Sequence, residues 1–192
     1  MKFKWIRSNI SNIKFIVSLG LIALVIGFIL FQNESTDIKS GVVSTINELT
    51  LNINNTNQNS IIFHLAILSI ISLLSLIIIG FPIAVIYYFY EFVSIGYLLS
   101  ALFEFKKITG LLFGSIFIII NKILFLSVLS YFLINMINYT KKYLKSIKTS
   151  KKELIINYLY KCFFVLIIVF INDIILYFIG NKLTNIFTFL LK

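Results

Sequence analysis

The fold of this chain is decided by residues 61–103, which read IIFHLAILSIISLLSLIIIGFPIAVIYYFYEFVSIGYLLSALF and contain one charged side chain, Glu91. At about 1.5 Å per helical residue, the stretch is roughly twice as long as a ~30 Å hydrocarbon core requires. Gly80-Phe81-Pro82 lies near its middle, and a glycine close to the only proline of the chain favours a turn there. The stretch therefore predicts two transmembrane helices, over residues 61–79 and 82–103.

The composition of the whole chain agrees with lipid as its solvent. Of 192 residues, 59% are hydrophobic and 12% are charged. A soluble domain is closer to about 45–50% apolar and about 25% charged. The net charge of +10 arises from lysines and arginines that flank apolar runs. This placement indicates the positive-inside rule of membrane topology rather than binding to nucleic acid.

Three further apolar stretches complete a predicted all-α transmembrane bundle of about five spans, a single membrane domain over residues 1–192. They cover residues 15–32, 108–138 and 158–180. The first is too long for the apolar region of a signal peptide and lacks a small-residue cleavage site, so we expect it to remain as a span. The second is too long for one straight helix, and Asn121-Lys122 interrupts it.

Three polar or short segments are expected at the membrane surface. Residues 33–60 carry apolar side chains at helical spacing, with Ser35, Thr36 or Asp37 as candidate caps, which predicts an amphipathic helix on the outer face. The basic segment 139–153 predicts either an amphipathic helix on the anionic inner leaflet or a solvated loop that determines topology. The tail, 183–192, is too short to cross and is expected to lie in the interface.

The distribution of lysine and arginine predicts the orientation of the bundle. With the N-terminus inside, the inner side holds four such residues in the N-terminal segment and six in residues 139–153, with Lys161 at the edge. The outer side then holds five. This bias predicts that the N-terminus lies inside and the C-terminus outside.

Small residues predict close packing between the helices, because lipid provides little hydrophobic drive for helix association. Gly110 and Gly114 form a GxxxG motif in the fourth span. Small residues also share one helical face in the first three spans, as in Gly20, Ala23 and Gly27. The residues singled out for packing are Gly80, Pro82, Gly96, Gly110 and Gly114.

Three ionisable residues fall within the predicted spans, namely Glu91, Lys122 and Asp173. A charge near the middle of a bilayer costs at least ~2.5–3.5 kcal/mol, so each is expected to face protein or water. Glu91 and Lys122 lie at similar depth, which predicts a buried ion pair. Asp173 is expected nearer the outer face. The pair can be structural or part of an ion or proton pathway, and the structural reading is favoured because no further acid is expected at its depth.

The remaining reactive side chains indicate no catalytic residue, cofactor or metal ligand set. His64 is the only histidine and is expected at the outer interface. Cys162 is the only cysteine, which excludes an internal disulfide, and it is expected to serve as a small apolar residue. The sequence therefore predicts a protein that is not an enzyme.

The order of these features resembles the stage II sporulation protein M family. The matching residues are Gly80-Phe81-Pro82-Ile83, Ser94-Ile95-Gly96-Tyr97, and Lys107 followed by Gly110-Leu111-Leu112, within roughly residues 61–130. Glu91 and Asn121-Lys122 differ from the family's pattern. The resemblance implies a multi-pass protein of a bacterial plasma membrane in a spore-forming organism. It implies a non-enzymatic scaffold or assembly subunit that holds cell-wall hydrolases and accessory subunits at the septum during engulfment.

Two functions from different classes remain open at this point. The first is a scaffold whose partners, besides the lipid bilayer, are other membrane proteins docked on the spans or on residues 33–60. The second is a permease or channel subunit of a multi-component transporter, in which Glu91, Lys122 and the interrupted helices would line a pathway. A membrane enzyme would need paired acids or a histidine at one depth, and the pattern predicts neither.

Overall fold

The computed structural model describes residues 2–51, 58–77, 79–145 and 151–180, together with Lys182 and Ile186. This part of the chain is all-helical and contains no strand, which confirms the predicted fold class. The helices are α1 (Lys2–Gln32), α2 (Thr36–Leu51), α3 (Gln58–Ser75), α4 (Gly80–Asn121), α5 (Ile123–Lys145) and α6 (Lys151–Ile175), and α6 continues into a π-helical turn, Leu176–Gly180. The predicted interfacial tail, 183–192, lies outside the described residues except for Ile186.

Three of the described helices are long and apolar enough to cross a membrane. They are Arg7–Gln32, Ile123–Lys145 and Lys151–Phe178, and a shorter apolar helix covers His64–Ser75. Their outward faces carry large apolar side chains, including Leu21, Ile22, Tyr160 and Phe163. These features are those of a membrane protein, since exposed apolar surface of this extent is unfavourable in water.

The turn between α3 and α4 begins earlier than the sequence predicts. Leu76, Ile77 and Ile79 form it, whereas Gly80-Phe81-Pro82 belongs to the first turn of α4. Proline is tolerated there because the first N–H groups of a helix have no intrahelical partner. The backbone of Gly80 lies against Ser75 and the Ile71 carbonyl so closely that a Cβ would overlap both. Gly80 thus permits the tight approach, and Pro82 begins the next helix.

Helix α4 consists of two segments that fold back on each other. Lys106 (φ −134°, ψ 21°) and Lys107 (φ 50°, ψ −126°) are not helical, and we name the segments before and after them α4a (residues 80–105) and α4b (residues 108–121). The GxxxG motif of α4b packs on α4a, because a Cβ on Gly110 would overlap the Leu102 carbonyl. Gly114 lies against the leucine side chains of α4a.

The break predicted at Asn121-Lys122 separates α4 from α5, but the chain keeps its direction across it. The Lys122 amide donates to the Ile118 carbonyl at 2.8 Å, and the Leu126 amide donates to the Lys122 carbonyl at 2.9 Å. Helix α5 then extends to Lys145, beyond the predicted end at Asn138. Segment α4b and helix α5 therefore form one long interrupted rod.

Contacts between distant residues set the relative directions of the rods. Helix α1 runs parallel to α4a, since Gly20 lies beside Tyr88 and Gly27 lies beside Val93. Segment α4b and α5 run back along α4a. Helix α3 is antiparallel to α6, with Ser75 beside Tyr158. The order of directions is thus up, down, up, down, up for α1, α3, α4a, α4b–α5 and α6.

A close contact between backbones joins α1 to α4a. A Cβ on Gly27 would overlap the Val93 carbonyl oxygen, and a Cβ on Gly96 would overlap the Leu24 carbonyl oxygen. The two glycines therefore let the backbones of both helices touch at one crossing. Beyond it, the Gln32 side chain donates to Ser100 Oγ at 2.9 Å.

Substitution of either glycine by alanine is expected to separate α1 from α4a. We expect Gly27→Ala and Gly96→Ala each to lower the free energy of unfolding by about 1–3 kcal/mol, because the added methyl group meets a backbone carbonyl that cannot rotate away. Thermal unfolding of the detergent-solubilised protein measures the effect. Gly41→Ala is the matched control, since a Cβ at Gly41 on α2 meets nothing within 4 Å. Equal melting temperatures for Gly96→Ala and Gly41→Ala would contradict the proposed crossing.

Candidate functional site: a buried charged cluster

The ion pair expected between Glu91 and Lys122 is present. Lys122 Nζ lies 2.9 Å from Glu91 Oε2, and the side chains are 29% and 6% exposed, respectively. Glu91 is roughly 16 Å from the start of α4a and roughly 21 Å from its end, at 1.5 Å per residue. The pair therefore lies near the middle of the α4a rod, at the junction of α4b and α5.

An aromatic ring connects this pair to α3. Lys122 Nζ lies 5.7 Å from the centroid of the Phe125 ring, within the range of a cation–π interaction. The His64 imidazole stacks on the same ring with centroids 4.5 Å apart and an interplanar angle of 20°. Phe125, buried on α5, thus contacts both the lysine and the histidine.

His64 in turn faces a second acid, Asp173 on α6. Its Nδ1 lies 3.5 Å from Asp173 Oδ2, and the two side chains are 16% and 6% exposed. The other carboxylate oxygen, Oδ1, accepts a hydrogen bond of 3.2 Å from the Asn172 side chain. Both His64 Nδ1 and Asp173 Oδ2 are buried, and neither atom has a hydrogen-bond partner among the described residues.

The hydroxyl of Tyr87 completes the cluster. Tyr87 precedes Glu91 by one helical turn on α4a, and its hydroxyl is buried near the Glu91 carboxylate. The hydroxyl is close enough to the carboxylates of Glu91 and Asp173 to interact electrostatically with both. The cluster therefore brings together ionisable groups from α3, α4, α6 and the junction before α5, namely His64, Tyr87, Glu91, Lys122 and Asp173.

The sequence does not predict the contact between His64 and Asp173. The structure brings their side chains within 3.5 Å of each other and places His64 on the Phe125 ring that Lys122 also faces. The depths expected for His64 and Asp173 relative to a membrane stay predictions.

The helical spacing of buried residues provides a signal that would have found them. His64 shares one face of α3 with Leu68, Ile71 and Ser75, at successive spacings of four, three and four residues. Asp173 continues the buried face of α6 in the same way, after Tyr158, Cys162, Val165 and Val169. A polar residue in register with a buried apolar face is expected to point into the bundle.

The other residues singled out from the sequence lie away from the cluster. Gly96 lies at the crossing with α1, Gly110 and Gly114 lie in the α4 hairpin, and Gly80 and Pro82 begin α4. Cys162 is a buried free thiol near the opposite end of the α3–α6 contact, where Ser75 Oγ and the Tyr158 hydroxyl are 2.5 Å apart. Among the described residues, no group of three or more histidine, cysteine, aspartate or glutamate side chains has the arrangement of a metal site.

Comparisons of the chain with family models, curated proteins and solved structures gave no match. The function is therefore argued from the geometry of the bundle and of its charged cluster.

The Glu91–Lys122 contact is expected to contribute to stability as a pair. In a double-mutant cycle with Glu91→Gln and Lys122→Met, we expect a coupling of about 0.5–3 kcal/mol, because removing one partner leaves the other charge uncompensated in a low-dielectric site. The free energy of unfolding in detergent gives the coupling. A second cycle, with Glu104→Gln and Lys122→Met, is the control. Glu104 is an exposed acid near the Lys106–Lys107 turn. Additive effects in the first cycle would show that the pair does not contribute.

Proposed function

We propose that the chain is a multi-pass protein of a bacterial plasma membrane with five spans, its N-terminus inside and its C-terminus outside. The alternating directions of α1, α3, α4a, α4b–α5 and α6 support this arrangement, since each rod would cross the bilayer opposite to the one before it. Helix α3 has 18 residues and would be about 27 Å long, close to the ~30 Å of the hydrocarbon core.

The proposed orientation is supported by contacts that bring two basic segments to one end of the bundle. Asn138 Nδ2 on α5 donates to Asn9 Oδ1 on α1 at 2.7 Å, and Lys141 Nζ donates to Asn12 Oδ1 at 3.0 Å. These bonds place the start of α1 beside the end of α5. The lysine-rich ends of both helices therefore lie on the same side, as the positive-inside rule requires of a cytoplasmic face.

Labelling of single cysteines tests this orientation. In a Cys162→Ala background, we expect a membrane-impermeant maleimide to label Ser44→Cys on α2 in intact cells, because α2 follows the outer end of α1. Lys145→Cys at the end of α5 is expected to react only after permeabilisation. Both positions are exposed in the structure. A difference in labelling would therefore report the side of the membrane on which each cysteine lies and not its burial. Labelling of Lys145→Cys in intact cells would contradict the orientation.

We further propose that the bundle is a non-enzymatic scaffold or assembly subunit of a membrane complex. The main support is that the backbones of neighbouring rods touch at Gly27, Gly96 and Gly110. Such contacts favour a fixed arrangement of the rods over one that opens and closes. Such a bundle can present constant surfaces to partners. The segment from Gly80 to Pro82 lies at one end of the α4a rod and not halfway along it. This position also agrees with a packed bundle.

Two surfaces are available for partners. The outward face of α6 carries exposed aromatic side chains, which are Tyr160, Phe163, Phe164 and Phe170. The second surface is a groove of about 640 Å³ between α2 and α4, lined by Ile38, Val42, Tyr97 and Leu98 together with smaller residues. Aromatic side chains are enriched in protein interfaces, which favours the α6 face as the main docking surface.

The resemblance to the stage II sporulation protein M family supports a more specific form of this proposal. In that form, the partners are cell-wall hydrolases and accessory subunits, and the complex acts in engulfment or septal remodelling in a spore-forming bacterium. The residues that carry the resemblance, from Gly80 to Tyr97 and at Gly110, lie along α4. The proposal thus assigns α4 to the internal framework and the surfaces of α2 and α6 to partners.

Site-specific photo-crosslinking in native membranes tests the scaffold. With a benzoyl-phenylalanine at position 163 on α6 or 38 on α2, we expect protein adducts that mass spectrometry identifies as cell-wall enzymes or their membrane partners. The same probe at buried position 132 on α5 is the matched control and is expected to give none. Adducts with a nucleotide-binding ATPase, or with lipid alone at both exposed positions, would contradict the scaffold.

The charged cluster favours a second candidate, a permease or channel subunit of a multi-component transporter. Intramembrane charges next to an interrupted helix are typical of transport pathways, and Lys122 lies at such an interruption. Capture of an ATPase in the crosslinking experiment would support this candidate in place of the scaffold.

A further inference from the structure

We infer that the buried cluster is a proton-binding site, in which the His64 imidazole holds a second proton and serves as the counter-charge of Asp173. Such a site is compatible with both a scaffold and a transport subunit. It follows from the charges that the structure brings together and from polar atoms that have no hydrogen-bond partner among the described residues.

With both carboxyl groups ionised, the fixed charges of the cluster do not balance without this proton. Among the described residues, two carboxylates face the site, and the one lysine is 2.9 Å from Glu91. The charged or ionisable groups of the described chain that face the site are His64 from α3, Tyr87 and Glu91 from α4, Lys122 at the junction before α5, and Asp173 from α6. With a neutral imidazole, the cluster would carry one net negative charge, and burying an uncompensated carboxylate is costly.

Asp173 bears the charge that lacks compensation. Its side chain is 6% exposed, and Asn172 provides a neutral hydrogen bond to one carboxylate oxygen only. Lys122 is already engaged by Glu91. The imidazole of His64 is therefore the group that can supply a positive charge to Asp173.

The geometry at His64 fits an added proton. Nδ1 and the Asp173 Oδ2 are both buried and unpartnered at 3.5 Å, a gap longer than the ~2.9 Å of a formed hydrogen bond. A proton on Nδ1 would convert these two orphaned atoms into a donor and an acceptor, and a shift of a few tenths of an ångström would close the bond. The ring also stacks on Phe125 with centroids at 4.5 Å, and an aromatic face stabilises a cation.

The buried Tyr87 hydroxyl is the third polar group of the site. It interacts with the carboxylates of both Glu91 and Asp173. A hydroxyl can donate a hydrogen bond to either carboxylate, and an ionised carboxylate only accepts, so Tyr87 can link the two acid–base pairs as a donor. The bound proton thus lies in a network that extends from α3 to α4 and α6.

The added proton would also stabilise the contact between α6 and α3. Asp173 lies directly before the π-helical turn Leu176–Gly180, and π-helical turns mark positions where helix geometry departs from the regular pattern. Loss of the proton would leave an uncompensated carboxylate between the two helices. Protonation of one histidine is therefore coupled to the contact between α3 and the last turns of α6.

The inference can be tested directly because His64 is the only histidine of the chain. Uniform ¹⁵N-histidine labelling of the full chain in phosphatidylcholine–phosphatidylglycerol nanodiscs gives the signals of a single imidazole. At neutral pH, we expect both ring nitrogens of the wild-type protein to show the shifts of an imidazolium ion. The signals of a neutral tautomer would overturn the inference, whatever the variants show.

Three variants identify the counter-charge. Asp173→Asn removes the charge but keeps the shape, and the imidazolium signals are expected to be replaced by those of a neutral ring. Asp173→Glu keeps the charge and is expected to retain the imidazolium, which separates a charge effect from a general disturbance of packing. Asp37→Asn, at an exposed acid on α2, is the control and is expected to leave the spectrum unchanged. Retention of the imidazolium in Asp173→Asn would overturn the assignment of Asp173.

Discussion

The contact between the backbones of α1 and α4a is the constraint on which the rest of the bundle depends. Lipid and helix surfaces are equally apolar, so cohesion must come from close packing and from polar contacts. Gly27 and Gly96 allow the first, and the Gln32–Ser100 hydrogen bond contributes to the second. Once α1 and α4a are joined, α4b folds back on the same rod, and this return brings Lys122 to Glu91.

The first half of the bundle is formed by α1, α4 and α5, and the second half by α3 and α6. Polar groups at two levels along the second half hold α3 to α6. At one level, Ser75, Tyr158 and the stacked ring of Tyr139 join α3 to α6, with the two tyrosine rings 4.3 Å apart. At the other, His64 faces Asp173. The charged cluster is where the two halves meet, since Tyr87 on α4a interacts with the carboxylate of α6 and Phe125 contacts the imidazole of α3. A polar network in this position specifies how the halves align.

The helices and one ion pair could be predicted because they follow from local properties. The length of an apolar run can be read directly from the sequence. Glu91 and Lys122 lie at similar distances before and after the connection at residues 104–107, so a chain that folds back there brings them together. The α3–α4 turn was misplaced by a few residues because Pro82 can open a helix as well as end one. The contact between His64 and Asp173 could not be predicted because it depends on how α3 packs against α6, which is not a property of either segment alone.

The crossing of α1 with α4a has a consequence for the order of events during synthesis. Gly27 leaves the ribosome long before Gly96, and at about 5–20 residues per second the delay is on the order of several seconds. During that time the face of α1 that carries Gly27 has no neighbour, because α4a has not been made. The crossing can therefore form only after Gly96 has been synthesised.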